Sequence, residues 1–366
     1  MKLKLLTTLT AVLLAIASQA DGTNIDNIYY ILDNQTKTAC VTYSGSSSWD
    51  RNPSSIAYSG STTIPPSVTY NGTTYSVTSI GEYAFYECTS LTSINIPSSV
   101  NAIGEGAFSD CTNLKSINIP AAVTSIEEYT FSNCKALTSI TIPTAVTNIG
   151  NGAFLGCTYL QGINIPDAVT TVGYSAFYYC TSLSNITLGS SVTTIGEYAF
   201  YACSNLTSIN MPASLTVIGA SAFVGTNLTS ITIPAAVTSI EAEAFYGCTT
   251  LTSIIAQRTD PKQYNCDASA FRSVLTSTCK LCVPAGSKKA YADTEPWSNF
   301  QNIVEETGKD EDLNGDGNVN VGDVTALVNI ILGKTSAPDG INADLNGDGK
   351  VNVGDVTALV NMILGK

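Results

Sequence analysis

Residues 107–126 read AFSDCTNLKSINIPAAVTSI. Within this stretch Ile117 and Ile119 flank a polar residue, which is the period of a β-strand with one buried face. Pro120 ends the predicted strand, because proline cannot donate a hydrogen bond to a neighbouring strand. Val123 and Ile126 then return apolar side chains to the interior. The stretch therefore predicts one strand, followed by a turn that leads back to the same core.

The same pattern recurs along most of the chain. Its markers are phenylalanines 23 residues apart, with a last step of 22, at positions 85, 108, 131, 154, 177, 200, 223 and 245. Cysteines follow three residues later at 88, 111, 134, 157, 180, 203 and 248, and Thr226 takes that place in the unit that is one residue short. Such a unit cannot bury its apolar side alone but can do so when stacked on copies of itself. The spacing predicts a β-rich solenoid with a parallel sheet and a ladder of buried phenylalanines.

The repeat AF-x-x-C-x-x-L-x-S-I-x-I-P-x-x-V-x-x-I resembles the bacterial leucine-rich repeats of BspA-like surface proteins, over roughly residues 25–304. The resemblance includes residues 29–32 and 76–81 before the repeats, and residues 281–303, which are similar to that family's C-terminal cap. Departures are small: Thr130 replaces the alanine before Phe131, and Leu188-Gly189 replaces Ile-Pro. The resemblance implies a secreted or cell-surface protein that binds host matrix, other cells or glycans.

Eleven cysteines in a secreted chain would ordinarily suggest disulfides. The seven ladder cysteines occupy identical positions on adjacent coils, so we expect buried free thiols that act as small hydrophobic groups. A linear ladder also does not converge into a tetrahedral zinc site. Cys40, Cys266, Cys279 and Cys282 lie outside the ladder, and we interpret the last pair as part of the cap, with a bridge to Cys266 left open.

Two rows of short polar side chains are predicted on the open face of the sheet. One row lies between the core isoleucines, at Asn95, Asn118, Thr141, Asn164, Thr187, Asn210 and Thr232. The other lies two residues earlier, at Ser93, Ser116, Ser139, Gly162, Asn185, Ser208, Ser230 and Ser253. These rows are either a hydrogen-bonding surface for a protein or sugar, or a solvated face with strand-compatible side chains.

Tyrosines and glutamates gather beside the phenylalanines. The tyrosines predict either an aromatic strip for sugar binding or packing between turns, and they are Tyr83, Tyr86, Tyr174, Tyr178, Tyr179, Tyr198, Tyr201 and Tyr246. A glycosidase needs two carboxylates across a cleft. The candidates Glu82, Glu105, Glu128 and Glu197 instead recur at the repeat period, and no coil carries an insertion. We therefore predict no catalytic residue and no organic cofactor.

Residues 312–323 and 344–355 form two matching twelve-residue loops, DLNGDGNVNVGD and DLNGDGKVNVGD. Oxygen donors at positions 1, 3, 5, 7, 9 and 12 suit calcium, with position 7 acting through its main-chain carbonyl, position 9 through water, and glycine at position 6 for the turn. Position 12 is aspartate rather than the glutamate of an EF-hand. The predicted ligands of two calcium ions are Asp312, Asn314, Asp316, Asn318, Asn320 and Asp323 in the first loop, and Asp344, Asn346, Asp348, Lys350, Asn352 and Asp355 in the second. The alternative is a pair of acidic turns without metal.

Each loop leads into a stretch with helical spacing of apolar residues. These residues are Val324, Leu327, Val328, Ile331 and Leu332 in the first stretch, and Val356, Leu359, Val360, Ile363 and Leu364 in the second. Half an EF-hand, present twice, resembles a type I dockerin, over about residues 310–366. The resemblance implies calcium-dependent folding and docking onto a cohesin. The positions after the ninth ligand, often partner-reading in that family, are Val321-Gly322 and Val353-Gly354 rather than the usual hydroxyl pair.

Composition and the N-terminus narrow the function further. The chain carries 16 Lys+Arg against 29 Asp+Glu, a net charge of −13, which disfavours nucleic acid as a partner. It has no histidine, so imidazole catalysis and His-ligated metal sites are excluded. Residues 1–20 have the charged start, short apolar run and small-residue end of a secretory signal peptide. No other segment is predicted to span a membrane.

The predicted organisation is a signal peptide over 1–20, an N-terminal cap over 21–75, the solenoid over 76–256, its C-terminal cap over 257–304, a linker over 305–311 and the dockerin-like domain over 312–366. The expected fold class is a leucine-rich-repeat solenoid plus a small all-α calcium-binding domain. The expected function is a secreted or cell-surface, non-catalytic binding or adhesion scaffold. Its solenoid would bind a matrix protein, cell-surface or glycan ligand, and its tail a cohesin-like protein. The alternative is a non-catalytic subunit, or less favoured an enzyme, of an extracellular polysaccharide-degrading assembly.

Overall fold

The computed structural model describes residues 22–43, 58–305, 312–314, 319–337 and 342–364. The predicted signal peptide and residues 306–311 of the predicted linker lie outside these ranges. The chain divides into two compact units: residues 1–252 with 264–275, and residues 253–263 with 276–366.

The first unit opens with a small mixed sheet. Its strands are β1 (Thr23–Ile25), β2 (Ile28–Asp33), β3 (Thr38–Thr42), β5 (Ser67–Tyr70) and β6 (Thr73–Ile80), whereas β4 (Gly60–Thr63) pairs with the repeat strands described below. Strands β1 and β2 pair antiparallel, as do β2 and β3, and β5 and β6, whereas β3 pairs parallel with β6. Asn71 and Gly72 both have positive φ, at 48° and 74°, as a two-residue hairpin turn between β5 and β6 requires. These strands form the N-terminal cap. The cap is continuous with the repeats, because β6 pairs in parallel with the short strand at Ala102–Ile103.

The repeat strands are short and continue the chain order. They are β7 (Leu91–Asn95), β8 (Ala102–Ile103), β9 (Ser116–Ile117), β10 (Ser125–Ile126), β11 (Asn148–Ile149), β12 (Gly162–Asn164), β13 (Thr171–Val172), β14 (Asn185–Thr187), β15 (Thr194–Ile195), β16 (Val217–Ile218), β17 (Ser230–Ile233), β18 (Ser239–Ile240) and β19 (Ser253–Ala256). All pairs among them that lie within the first unit are parallel. The predicted solenoid of stacked coils is therefore confirmed.

The sheet predicted at Ile-x-Ile is present but interrupted. It consists of β4-β7-β9 in one part and β12-β14 in another. An asparagine side chain also joins neighbouring coils at two places, beside the β7-β9 pairing and at the break after β14. Asn118 accepts from the N–H of Ile96 at 2.9 Å and donates to its C=O at 2.8 Å. Asn210 does the same to Leu188, at 2.8 and 2.9 Å. A side-chain amide carries the same donor and acceptor as a peptide group, so it extends the hydrogen bonds between coils beyond the paired strands.

The longest parallel sheet lies elsewhere, at the V-x-x-I segment. Strands β10, β11, β13, β15, β16 and β18 follow one another in that order. Their register is one repeat, with Ile126 opposite Ile149 and Ile149 opposite Val172. The sequence pattern predicted Val123 and Ile126 as core residues but not as part of a strand, because a spacing of three residues lacks strand alternation.

The phenylalanine ladder forms the core. All eight predicted members are fully buried. Successive rings lie 5.1–5.6 Å apart between centroids and within 15° of parallel. Phe271 adds a further rung 5.4 Å from Phe245, which the 23-residue spacing did not predict. Each ring contributes about 1.5–3 kcal/mol through burial, so the ladder stabilises the stack.

The ladder cysteines are all buried and free, as predicted. From Cys111 onward each thiol lies 3.0–3.2 Å from the main-chain oxygen of the phenylalanine one coil earlier. Thr226, which replaces a cysteine, is also buried and donates to Phe223 O at 2.8 Å, within its own coil. Cys40, Cys266, Cys279 and Cys282 are free thiols as well, so the bridge left open at Cys266 is absent.

The second unit contains a parallel sheet and three helices. Strands β19, β20 (Lys280–Val283) and β21 (Asn302–Glu305) pair in parallel, and α1 (Lys288–Ala292) lies between the last two in sequence. Short 3-10 helices occupy Pro261–Tyr264 and Trp297–Asn299. Tyr291 and Trp297 are fully buried, with ring centroids 5.5 Å apart. These aromatic side chains close the end of the predicted C-terminal cap.

The tail has its own small core. Helices α2 (Val321–Ile331) and α3 (Val353–Ile363) contribute Leu327 and Leu359, which pack with Leu313 and Ala343. Leu327 and Leu359, which occupy equivalent positions in the two copies, thus share one core. Across the described ranges, no helix has the length and apolar character needed to cross a membrane.

Candidate functional site

The second predicted calcium loop lies wholly within the described residues, and its side chains turn toward its own backbone. Asp344 accepts hydrogen bonds from the N–H groups of Asp348 at 3.1 Å and Gly349 at 2.7 Å. Asn346 Oδ1 accepts from Asp348 N at 2.9 Å, and Asp348 Oδ1 accepts from Lys350 N at 2.9 Å. Oxygen atoms at positions 1, 3 and 5 therefore face the inside of the loop.

Asp355, at position 12, joins the loop to helix α3. It is fully buried, and its two carboxylate oxygens accept from Asn346 N at 3.1 Å and Asn352 N at 2.7 Å. Burial opposes ionisation of this carboxyl, but the N–H groups of Asn352 and Asn346 outweigh it and hold the pKa of Asp355 below its ordinary value. Asp355 is thus positioned as an anion at the helix N-terminus.

Asn352, at position 9, is the N-cap of α3. Its side chain accepts from Gly354 N at 2.7 Å, which forms a capping box with Asp355. A Cβ at Gly354 would lie 2.6 Å from the amide nitrogen of Asn346, so glycine at this position leaves room for the loop's third residue. The loop pattern predicted Asn352 only as a ligand, although Asn followed three residues later by Asp is a recognisable capping signal.

The first loop repeats this geometry where it is described. Asp323 accepts from Asn314 N at 3.1 Å and from Asn320 N at 2.8 Å, and Asn320 caps α2. Asp323 is fully buried, like its counterpart Asp355. The predicted ligands Asp316 and Asn318 lie outside the described residues.

The donor set of the second loop suits a hard cation. Carboxylates of Asp344, Asp348 and Asp355 alternate with the amide of Asn346 and the carbonyl of Lys350, so every donor is oxygen, as calcium prefers. Among the described residues, no group of three or more His, Cys, Asp and Glu side chains converges closely enough to hold a metal ion on its own. Carboxylate, amide and carbonyl oxygens together are the mixed donor set that calcium loops use.

The tail exposes matching apolar side chains on its two copies. Val321 and Val353 are each 71% exposed, and Leu332 and Leu364 are each 59% exposed. The two valines occupy the position after the ninth ligand in their loops. Solvent-exposed apolar residues at equivalent places are a surface suited to a partner protein.

The polar rows of the solenoid are exposed for the most part, as predicted. Asn118 and Asn210 are committed to the bonds between coils described above. Of the carboxylate column, Glu105 accepts from the hydroxyl of Tyr83, and Glu128 accepts from the amide of Asn151 at 2.9 Å. These groups link neighbouring coils rather than face each other across a cleft.

The predicted aromatic strip separates into groups. Tyr83 and Tyr86 contact each other, with ring centroids 5.9 Å apart. Tyr246 lies under the guanidinium of Arg272 at 5.8 Å. The other five, Tyr174, Tyr178, Tyr179, Tyr198 and Tyr201, form one cluster on two adjacent coils.

Comparisons with known families match both halves of the chain. The BspA type leucine rich repeat region matches in overlapping segments, residues 66–184, 124–252 and 170–278. The type I dockerin domain matches residues 310–364. Type I dockerin domains bind calcium and cohesin partners, and neither kind of domain is catalytic.

The chain is also similar to solved structures. A leucine-rich repeat protein from Bacteroides ovatus is 30% identical, with 77% of this chain and 76% of that chain covered and a TM-score of 0.54. A leucine-rich repeat protein of T. pallidum is 27% identical over 56% of this chain and 89% of that chain, with a TM-score of 0.48. A search of curated proteins found no match.

Proposed function

This chain belongs to the BspA-type leucine-rich-repeat family, and from that premise we propose that it is a secreted or surface-attached binding scaffold with a calcium-dependent docking tail. Proteins with these repeats and with dockerins are typically extracellular or surface-associated. The signal-like residues 1–20 agree with that location. In this proposal the solenoid recognises a target and the tail attaches the protein to a partner.

The observation that carries the proposal is the duplicated loop and helix of the tail. Both copies bury the aspartate at position 12, both cap their helix with the asparagine at position 9, and both expose the valine between them. Packing alone does not require a 71% exposed valine at the same place twice. A duplicated, solvent-facing surface is what a docking module presents to a partner protein.

Calcium is the proposed cofactor, with one ion in each loop. Asp344, Asn346, Asp348, Lys350 O and Asp355 would hold the second ion, with Asn352 acting through water. The corresponding residues from Asp312 to Asp323 would hold the first. The cation would neutralise carboxylates that otherwise repel one another, so binding and ordering of the tail are coupled.

The proposed partner is a cohesin-like domain, and the two copies offer it two equivalent surfaces. The proposal includes no catalytic role. The dockerin match favours a second candidate function, a non-catalytic subunit of an extracellular polysaccharide-degrading assembly. In that case the solenoid would bring its target to enzymes that dock beside it.

Substitution of the exposed valines tests this proposal. We expect Val321→Asp or Val353→Asp alone to leave docking of the full chain onto a panel of cohesin domains largely intact, because the other copy remains. The double variant should weaken docking by about a hundredfold or more, since a charge would be buried against the partner. Biolayer interferometry in calcium buffer measures the dissociation constants.

Tyr159→Asp serves as the control, because Tyr159 is 63% exposed on the solenoid and should not affect docking. Loss of docking in each single variant would show that the two copies act as one surface. Unchanged docking in the double variant would overturn the proposed role of this face.

A further inference from the structure

The five clustered tyrosines form the densest exposed aromatic surface on the solenoid's described residues, and they are defined here as the tyrosine patch: Tyr174, Tyr178, Tyr179, Tyr198 and Tyr201. Tyr178 and Tyr201 stack at 4.9 Å between centroids, with an angle of 16° between ring planes. Tyr198 meets Tyr174 edge-on at 5.7 Å. Tyr174 and Tyr179 are 46% and 47% exposed, so the patch opens to solvent.

Coil stacking does not require these rings. One coil further along, the position of Tyr179 holds Ala202 and that of Tyr198 holds Ser221. Two coils beyond Tyr174, the equivalent residue is Ala220, and Ser132 occupies the position of Tyr178 two coils before it. The same backbone accepts small residues at each place: φ is 59° at Tyr179 and 58° at Ala202. Aromatic residues therefore concentrate on two adjacent coils for a reason other than the fold.

The charges around the patch exclude an anionic ligand. Between Lys135 and Arg258 the chain has no basic residue. A nucleic acid, an anionic lipid or a sulfated glycan would meet no cation there.

The acidic residues of the same stretch are few and mostly engaged. Asp167 accepts from Ser190 N at 2.8 Å, Glu241 accepts from Ala220 N at 3.0 Å, and Glu243 pairs with Arg272 at 3.8 Å. Glu197, next to Tyr198 in the chain, forms a hydrogen bond with the side chain of Tyr198. A strongly cationic ligand would need several carboxylates around the aromatic rings, so a neutral ligand fits better.

The groups that the tyrosines present to a ligand are aromatic ring faces with phenolic hydroxyls at their edges. Tyrosine hydroxyls are protonated at neutral pH and can both donate and accept. Desolvation and neighbouring groups, Tyr179 in one case and Glu197 in the other, raise the pKa of Tyr178 and Tyr198 further above neutrality. A pyranose ring presents an apolar C–H face surrounded by hydroxyls. Its face can lie on a tyrosine ring while its hydroxyls bond to phenols at the edge.

We propose that the tyrosine patch is a binding platform for a neutral glycan. This inference rests on the proposed role of the solenoid as the recognising half of the protein, and it adds the place of recognition and the class of ligand. Tyr174 and Tyr179, the most exposed rings, would make the main stacking contacts.

The test uses the full chain and four soluble neutral polysaccharides: mixed-linkage β-glucan, galactomannan, xyloglucan and arabinoxylan. We expect at least one of them to retard the protein in native affinity electrophoresis. Tyr174→Ala with Tyr179→Ala should raise its dissociation constant by roughly tenfold or more, as measured by calorimetry. The matched control, Tyr129→Ala with Tyr159→Ala, removes two rings that are 37% and 63% exposed elsewhere and should leave binding unchanged.

Each other outcome overturns the inference in a distinct way. Binding that survives in the patch variant, with its thermal unfolding unchanged, would place the glycan site elsewhere on the solenoid. Binding of basic peptides instead of any polysaccharide, lost in the patch variant, would make the patch a protein site and leave the proposed scaffold role standing. The absence of binding to any of the four polysaccharides would refute the glycan assignment. Docking onto cohesin domains would still test the proposed role of the tail independently.

Discussion

At the scale of the residue, the ladder cysteines show how one buried side chain can both pack within its own coil and bond to the coil before it. From Cys111 onward each thiol fills a small apolar space and donates to a main-chain oxygen one coil earlier, such as Cys157 to Phe131 O at 3.1 Å. A thiol is a weak donor, so the bond adds little energy but leaves no polar group unpaired. Thr226 meets the same demand with a hydroxyl, although its shorter coil directs the bond to Phe223.

The buried thiols predict a loss of stability at alkaline pH. Burial raises the pKa of Cys157 and Cys203 from 9.0 to about 12. Below pH 9 both the folded and unfolded chains keep these protons. Between pH 9 and 12 only the folded chain does, so its stability falls as pH rises, by about 1.4 kcal/mol per pH unit for each such thiol.

Urea unfolding at pH 8 and pH 10.5 measures this dependence. Cys157→Thr, which introduces the residue type found at position 226, should show a weaker fall in unfolding free energy because one titrating group is gone. Equal pH dependence in the two proteins would refute the assignment, whatever their absolute stabilities.

At the scale of the element, the tail's helices and loops share residues. Asp355 is the last residue of the second loop and also the third residue of α3, where it completes the capping box with Asn352. Its negative charge lies at the positive end of the helix. Formation of the loop and of the helix are therefore coupled through one carboxylate.

Removal of that carboxylate should affect both elements. We predict that Asp355→Ala reduces calcium binding by the full chain from two sites to one, because the first loop keeps Asp323. The lost cap should also destabilise α3 by about 0.5–2 kcal/mol. Isothermal titration with calcium and circular dichroism measure the two effects.

Thr357→Ala, an exposed residue of the same helix, is the control and should keep two sites. Asp323→Ala should mirror Asp355→Ala, and the double variant should bind no calcium. Two intact sites in Asp355→Ala would contradict the predicted ligand set.

At the scale of the whole molecule, the two halves are stabilised by different chemistry. The solenoid depends on stacked phenylalanines, which need no cation. The tail's core among the described residues has four buried members, Leu313, Leu327, Ala343 and Leu359. So small a core is marginal without a further stabilising agent, which calcium can provide.

A chelator should therefore act on one half alone. In scanning calorimetry of the full chain, EDTA should abolish the tail's transition and leave the solenoid's transition unchanged. Deletion of residues 310–366 should reproduce that result and abolish cohesin docking. A chelator-dependent shift in the solenoid's transition, absent from the truncated protein, would show that the halves are energetically linked.

Sequence patterns determined the features that depend on neighbours along the chain or on a repeated position. The spacing of phenylalanine and cysteine defined the coil, and identical positions on stacked coils necessarily form ladders. The loops DLNGDGNVNVGD and DLNGDGKVNVGD likewise carry their donors within twelve residues. In both cases the relevant geometry is local or repeats from coil to coil, so the amino-acid sequence alone is enough to predict it.

Tertiary structure alone decided the features that depend on one coil meeting the next. The long sheet at V-x-x-I, the asparagine links at Asn118 and Asn210 and the contacts between coils in the tyrosine patch join residues about 20–24 positions apart. Whether an asparagine faces solvent or replaces a backbone bond is set by the close approach of two coils, which its own sequence neighbourhood does not encode. The same is true of the tyrosines, which form a surface only because stacking places adjacent coils side by side.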